Sequence, residues 1–171
     1  MRLFETIENL GGTADFGRAA EIVRQRRYGV IDAVEGHLIA VRFRPWPKWM
    51  SLPEAMFLGN RHHDRRRADR CRVYFNQPRR CSNFLTVPYV LCGRGTRLAT
   101  LNAALAALDE IARIKHTDAL LADVLNFRIS PRALGRYGWA AHKPSRWHRH
   151  YIKRFYGDYA RRAAPRAALT V

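Results

Sequence analysis

The sequence predicts an α+β fold, a single domain built on a mixed, mainly antiparallel sheet flanked by helices. Three stretches carry this expectation. In YGVIDAVEGHLIAVRF (28–43), two runs rich in β-branched residues flank Glu35-Gly36, the pattern of a tight β-hairpin. VPYVLCGRGTRLATL (87–101) passes from a β-prone run through Gly93-Arg94-Gly95 into a helical pattern. TDALLADVLNFRISPRALGRYGW (117–139) repeats the order of strand, then helix.

In chain order, the first ten residues suit a strand or a short helix. Thr13 or Asp15 caps an expected helix over about residues 16–27, with Phe16, Ala19, Ala20 and Val23 on one face. The hairpin follows, then RPWPKWM (44–50), a proline-broken loop. Ser51, Pro53 and Glu54 mark a helix start leading into EAMFL (54–58), and residues 59–70 read as a polar, basic loop.

CRVYF (71–75) is an expected strand, NQPRR (76–80) a turn and NFLTVPYVL (83–91) a second strand. Pro88 has no N–H for a ladder, so it marks either an edge or a strand that splays from its neighbour. Leu98, Leu101, Leu105, Leu108 and Ala112 recur at helical spacing behind Thr96, a cap candidate. ALLADVL (119–125) reads as a strand. Ser130 and Pro131 open a further helix, and RHYIKRFY (149–156) is a closing strand. The domain is expected to cover residues 1–157, with 158–171 a basic Ala/Arg-rich tail that frays.

A formal charge of +17 and a pI near 11.1 imply attraction to anions, whether nucleic acid, phosphorylated ligands or acidic surfaces. Because 27 of the 31 basic residues are arginine, nucleotide composition accounts for part of that excess. No apolar run is long enough to span a membrane and the N-terminus has no apolar signal core, so a cytoplasmic location is expected. Cys71, Cys81 and Cys92 are odd in number and lack C-x-x-C spacing, which suits a reducing compartment. His62, His63, Asp64, Cys71 and Cys81 have no spacing that closes a tetrahedral site, so no metal is expected.

The glycine loop carries the chemistry. A strand entering a helix through Gly-x-Gly leaves backbone N–H groups at the positive end of the helix dipole, where they stabilise a phosphate. This arrangement resembles the GNAT superfamily of acyl-CoA-dependent N-acyltransferases. Val87 stands six residues before Gly93, GRGTRLATL looks like the family's GRGIGSALL, and ALLADVLN looks like its next strand, ending in Asn126. SPRALGRYGW looks like its next helix, with Gly138-Trp139 in place of Gly-Phe. Three positions depart: Cys92 replaces the loop's first Arg or Gln, Arg97 replaces its last small residue, and Leu134 stands where many relatives carry a catalytic tyrosine.

The resemblance implies acetyl-CoA or another acyl-CoA as co-substrate and an amine acceptor, with an anionic acceptor compatible with the charge. Strands 84–91 and 118–125 would splay to admit pantetheine. Val87, Cys92, Gly93, Arg94, Gly95, Thr96, Arg97 and Asn126 would bind the cofactor. The backbone of 93–96 would hold the pyrophosphate, and Arg94 and Arg97 would supply charge. Tyr137 and Tyr89 are candidate acids for the departing thiolate, while Glu54, Asp32 or a water are candidate bases.

The alternative is nucleic-acid binding through a helix-turn-helix at 117–139, with Arg132 and Arg136 reaching DNA. One observation separates the two: a strand at ALLADVL fits the acyltransferase layout, and a helix there fits DNA binding.

Overall fold

The computed structural model describes residues 5–8, 16–17, 19–47, 69–93, 95–123, 131–142 and 149–159. In chain order these form β1 (Glu5–Glu8), α1 (Ala20–Gln25), β2 (Tyr28–Val34), β3 (His37–Arg44), β4 (Arg70–Asn76) and β5 (Phe84–Cys92). The second half contains α2 (Leu98–Ile114), β6 (Ala119–Asp123), α3 (Pro131–Gly135), β7 (Ala140–Ala141) and β8 (His150–Arg154). The strands make one sheet in the order β1-β3-β2-β4-β5-β6-β8-β7. Every pairing is antiparallel except β5 with β6. This mixed, mainly antiparallel sheet with helices against it is the architecture the resemblance implies.

The hairpin forms where expected. Glu35 and Gly36 both take positive φ, 50° and 84°, so the turn's twist matches that of its strands. It is also pinned from outside: Glu35 N–H donates to the Asp69 carbonyl at 2.9 Å, and Gly36 N–H donates to Thr100 Oγ1 at 2.8 Å. β1, at the far edge, is tied to the end of α1 by the Arg26 guanidinium on Glu5 at 2.8 Å.

The core lies between the sheet and α2, and joins Ile31, Val41, Val73, Phe75, Leu85 and Leu120 to Leu108 and Ile111. Burying each such side chain stabilises by roughly 1.5–3 kcal/mol. The buried stripe of α2 differs from the leucine ladder expected of it. Thr100, Ala104, Ala107, Leu108, Ile111, Ala112 and Ile114 are buried, whereas Leu98 is 66% exposed and Leu101 and Leu105 flank the stripe. Small residues face the sheet because they let the helix approach it closely, and the larger leucines fill the margins.

Other boundaries shift for physical reasons. The helix expected over 16–27 is regular only at Ala20–Gln25, with Ala19 at its N-cap and no side-chain cap; Thr13 and Asp15 lie outside the described residues. Thr96 does not cap α2. Its hydroxyl donates to the Arg70 carbonyl at 2.7 Å, and the N-cap position is Arg97. The helix expected after Ser130 begins at Pro131 and closes at Gly138, whose φ of +79° only glycine adopts freely. Tyr159, placed in the expected tail, packs on Phe155 and donates to the Thr117 carbonyl at 2.8 Å.

Candidate functional site

Residues 119–123 form a strand, β6, paired with β5 on one side and β8 on the other. An interior strand cannot be the first helix of a DNA-binding pair, so the helix-turn-helix parse of 117–139 is overturned.

Among the described residues the β5–β6 pairing runs from Phe84↔Ala119 to Val87↔Ala122, and β6 is described only to Asp123, while β5 continues to Cys92. Two features of β5 mark this point. Pro88, the next residue, has no N–H to extend the ladder. The β4–β5 register also slips there, from Tyr74↔Tyr89 to Asn76↔Thr86, a bulge that bends the strand and re-aims its side chains. Leu85 and Val87 therefore belong to the core, while Tyr89 comes to lie against Tyr74, ring centroids 6.1 Å apart. β5 pairs on both sides, so Pro88 does not mark an edge strand; residues 124–130, where a splay would show, lie outside the described residues.

The glycine loop follows the end of β5. Several of its donors are already engaged. Gly93 N–H donates to the Arg70 carbonyl at 3.3 Å, Thr96 N–H to the Gly93 carbonyl at 3.1 Å, and Arg97 N–H to Asp69 Oδ1 at 2.9 Å. The same Asp69 oxygen accepts from the Thr100 hydroxyl at 2.6 Å, and Arg97 Nε lies 3.5 Å from its other oxygen. These hydrogen bonds, Thr100's foremost, hold the Asp69 carboxyl below its ordinary pKa. Asp69 thus caps α2 from 28 residues away along the chain. Sequence spacing did not reveal this cap, because it depends on β4 delivering Asp69 to the helix start.

Other donors face outward. Gly95, Arg97, Leu98 and Ala99 are all exposed, and no hydrogen bond engages the N–H of Gly95, Leu98 or Ala99 among the described residues. The groups that fit a diphosphate are therefore these amides and the Arg97 guanidinium, rather than the full run 93–96. Arg94 lies outside the described residues, as do Asn126 and Glu54.

Cys92, just before the loop, points to the core side and faces Cys71 across the β4–β5 ladder, with the sulfurs 3.4 Å apart. Tyr137 follows α3 and is partly buried against the core, next to Leu134 in that layer, which fits a packing role. Tyr89 lies on β5 beyond the last described rung with β6, opposite Tyr74 of β4.

Asp32 does not fit the role of base. It is 1% exposed and ion-paired to Arg72 at 2.7 Å, Arg70 at 3.0 Å and Arg42 at 3.3 Å. Burial raises its pKa, but the Arg72 and Arg70 contacts outweigh that and hold it ionised. His150 Nδ1 lies 3.9 Å from Asp123 Oδ1 at the end of β6, a pair whose spacing gave no sequence signal.

A cavity of about 530 Å³ opens elsewhere, lined by Phe84, Ala119, Leu121, His142, Ile152 and Tyr156 among others. It lies where β5 and β6 begin, at the opposite end of β5 from the glycine loop. No helix among the described residues is long and apolar enough to cross a membrane.

No family model matches the chain, and no curated protein matches it. Among solved structures, a nourseothricin acetyltransferase aligns with 90% of this chain and 99% of its own, at 14% identity and a TM-score of 0.41.

Proposed function

We propose that the protein transfers an acyl group from an acyl-CoA to an amine. The observation that supports this reading is the run of β5, glycine loop and α2, with β6 parallel to β5 and Pro88 standing just past the last described rung between them. A splay of the two strands beyond Val87/Ala122 would open a slot for pantetheine, an extended chain with two amides.

The residues fit the co-substrate as follows. The exposed amides of Gly95, Leu98 and Ala99 and the Arg97 side chain would receive the diphosphate. Asp69 holds the inner side of the helix start and orients Arg97. Main-chain donors beyond Val87 would polarise the thioester carbonyl, and such a donor contributes about 3–4 kcal/mol to acyl transfer. The unprotonated amine attacks that carbonyl, the C–S bond breaks, and the thiolate takes a proton. Tyr89, on β5 beyond the last described rung with β6, would supply that proton.

Calorimetric titration with acetyl-CoA tests the reading, alongside Gly95→Glu, which adds a side chain and a negative charge at an exposed loop position. Binding that Gly95→Glu abolishes without lowering the melting temperature is the expected result. Absence of binding by both acetyl-CoA and free CoA would overturn it. Release of free thiol across a panel of amines then identifies the acceptor.

A further inference from the structure

The sheet face opposite α2 carries positive charge that the steps above leave unused. Strand alternation puts Asp32 on that face in the middle of β2, with Arg72 directly across on β4 and Ala40 directly across on β3. Arg70 and Arg42 stand two residues from those positions and share the face. Arg72 Nε and Arg70 Nη2 both donate to Asp32 Oδ1, at 2.7 and 3.0 Å, and Arg42 Nη1 lies 3.3 Å from Oδ2.

One carboxylate cannot satisfy this group. It offers about four acceptor sites, whereas three guanidiniums present about fifteen N–H donors. Arg70 Nε is buried without a hydrogen-bond partner, and Asp32 Oδ2 accepts none although Arg42 is near. Asp32 is sealed at 1% exposure, whereas the Arg70 and Arg72 side chains are each 30% exposed and Arg42 is 49% exposed. Asp32 thus fixes the three forks from beneath while their outer N–H groups stay within reach of a ligand. Planar, bidentate donors in this arrangement suit a carboxylate or a phosphate.

The cluster also runs continuously toward the second half of β5. Tyr74 follows Arg72 by two residues on the same face, and its ring meets that of Tyr89. Strand geometry separates the Arg72 and Tyr89 α-carbons by about 8 Å. We infer that the Arg42–Arg70–Arg72 cluster seats an anionic group of the acyl acceptor, a carboxylate or a phosphate, while the acceptor's amine reaches the stretch of β5 beyond Val87. This inference rests on the acyltransferase reading.

Matched amines test it. Binding of β-alanine against propylamine, and of phosphoethanolamine against ethanolamine, is measured by calorimetry on the full chain with acetyl-CoA present. The anionic member of at least one pair is expected to bind at least tenfold tighter, and the favoured pair tells carboxylate from phosphate. Arg42→Ala is expected to remove that preference while acetyl-CoA affinity stays unchanged. Because Asp32 keeps Arg70 and Arg72, this variant is expected to fold; Arg42→Gln, which keeps the chain length, serves as the second variant.

Equal binding within both pairs would overturn the inference, as would a preference that survives both substitutions. A loss of acetyl-CoA affinity in Arg42→Ala would also overturn it, by assigning the cluster to the co-substrate. Inorganic phosphate, tested alone by thermal shift, separates the two readings. If it stabilises the wild type but not Arg42→Ala while acetyl-CoA fails to bind, the anion seat stands and the acyltransferase reading falls.

Discussion

Cys71 and Cys92 stand directly opposite each other on β4 and β5, with their sulfurs 3.4 Å apart. The shared hydrogen bond lowers the pKa of the Cys92 thiol against the upward push of burial. On Cys71 the same contact and burial both act upward. Cys92 is therefore expected to alkylate before Cys71 with iodoacetamide, resolved by peptide mass spectrometry. In Cys71→Ala, the pH at which Cys92 reacts should move up. An unchanged rate profile would mean that the two sulfurs do not interact in solution.

Asp32→Ala is expected to cost about 3–5 kcal/mol of stability in denaturant titration, because it leaves three guanidiniums facing one another without a counter-charge. Asp32→Asn should lie close to it, since the amide keeps the shape and loses the charge. A cost below about 1 kcal/mol would show that water already screens the cluster.

Gly29→Ala should be destabilising by about 1–3 kcal/mol through overpacking. A β-carbon at Gly29 would sit 2.5 Å from Phe75 Cζ, and Phe75 is fully buried with its ring edge-on to Phe43. Pairing Gly29→Ala with Phe75→Leu is expected to recover part of the loss, measured as a melting temperature above that of Gly29→Ala alone.

Two carboxylates set the acid limit. Asp69 and Asp32 both have folded-state pKa values below that of an unfolded aspartate, about 3.9. Their stabilisation is present above that value and is lost as pH falls through the lower folded values. Melting temperature should therefore drop as pH falls below about 4, and Asp69→Asn should flatten that drop while lowering stability at neutral pH.

Lys115 acts at the alkaline side. Burial, with Arg27 nearby, pushes its pKa down to about 8, and its ammonium bonds the Arg24 carbonyl and Gln77 Oε1. The folded state gives up this proton more readily than the unfolded chain, so stability should rise between pH 8 and about 10. Lys115→Met is expected to abolish that rise. Thermal melts across this range give the answer.

Local patterns were legible wherever they relied on neighbouring residues. The Glu35-Gly36 turn, the strand at 119–123 and Pro131 at a helix start all follow from short-range chemistry. Pro88 stands just past the last described rung between β5 and β6, where a missing N–H acts at that residue alone. What depended on distant parts of the chain was hidden. Thr96 looked like the cap of α2, but Asp69 takes the role once β4 carries it there. Asp32 looked like an available base, and only the register of three strands reveals the arginines around it. The leucine ladder of α2 misled because the closest approach to a sheet selects small side chains over large ones.

The run from Phe84↔Ala119 to Val87↔Ala122 has a mechanical corollary. It is the one parallel seam among the described strands, and it joins two antiparallel blocks, β1 to β5 and β6 to β8. A ligand touching both blocks would staple them together, and amide deuteration along that line should slow when it binds.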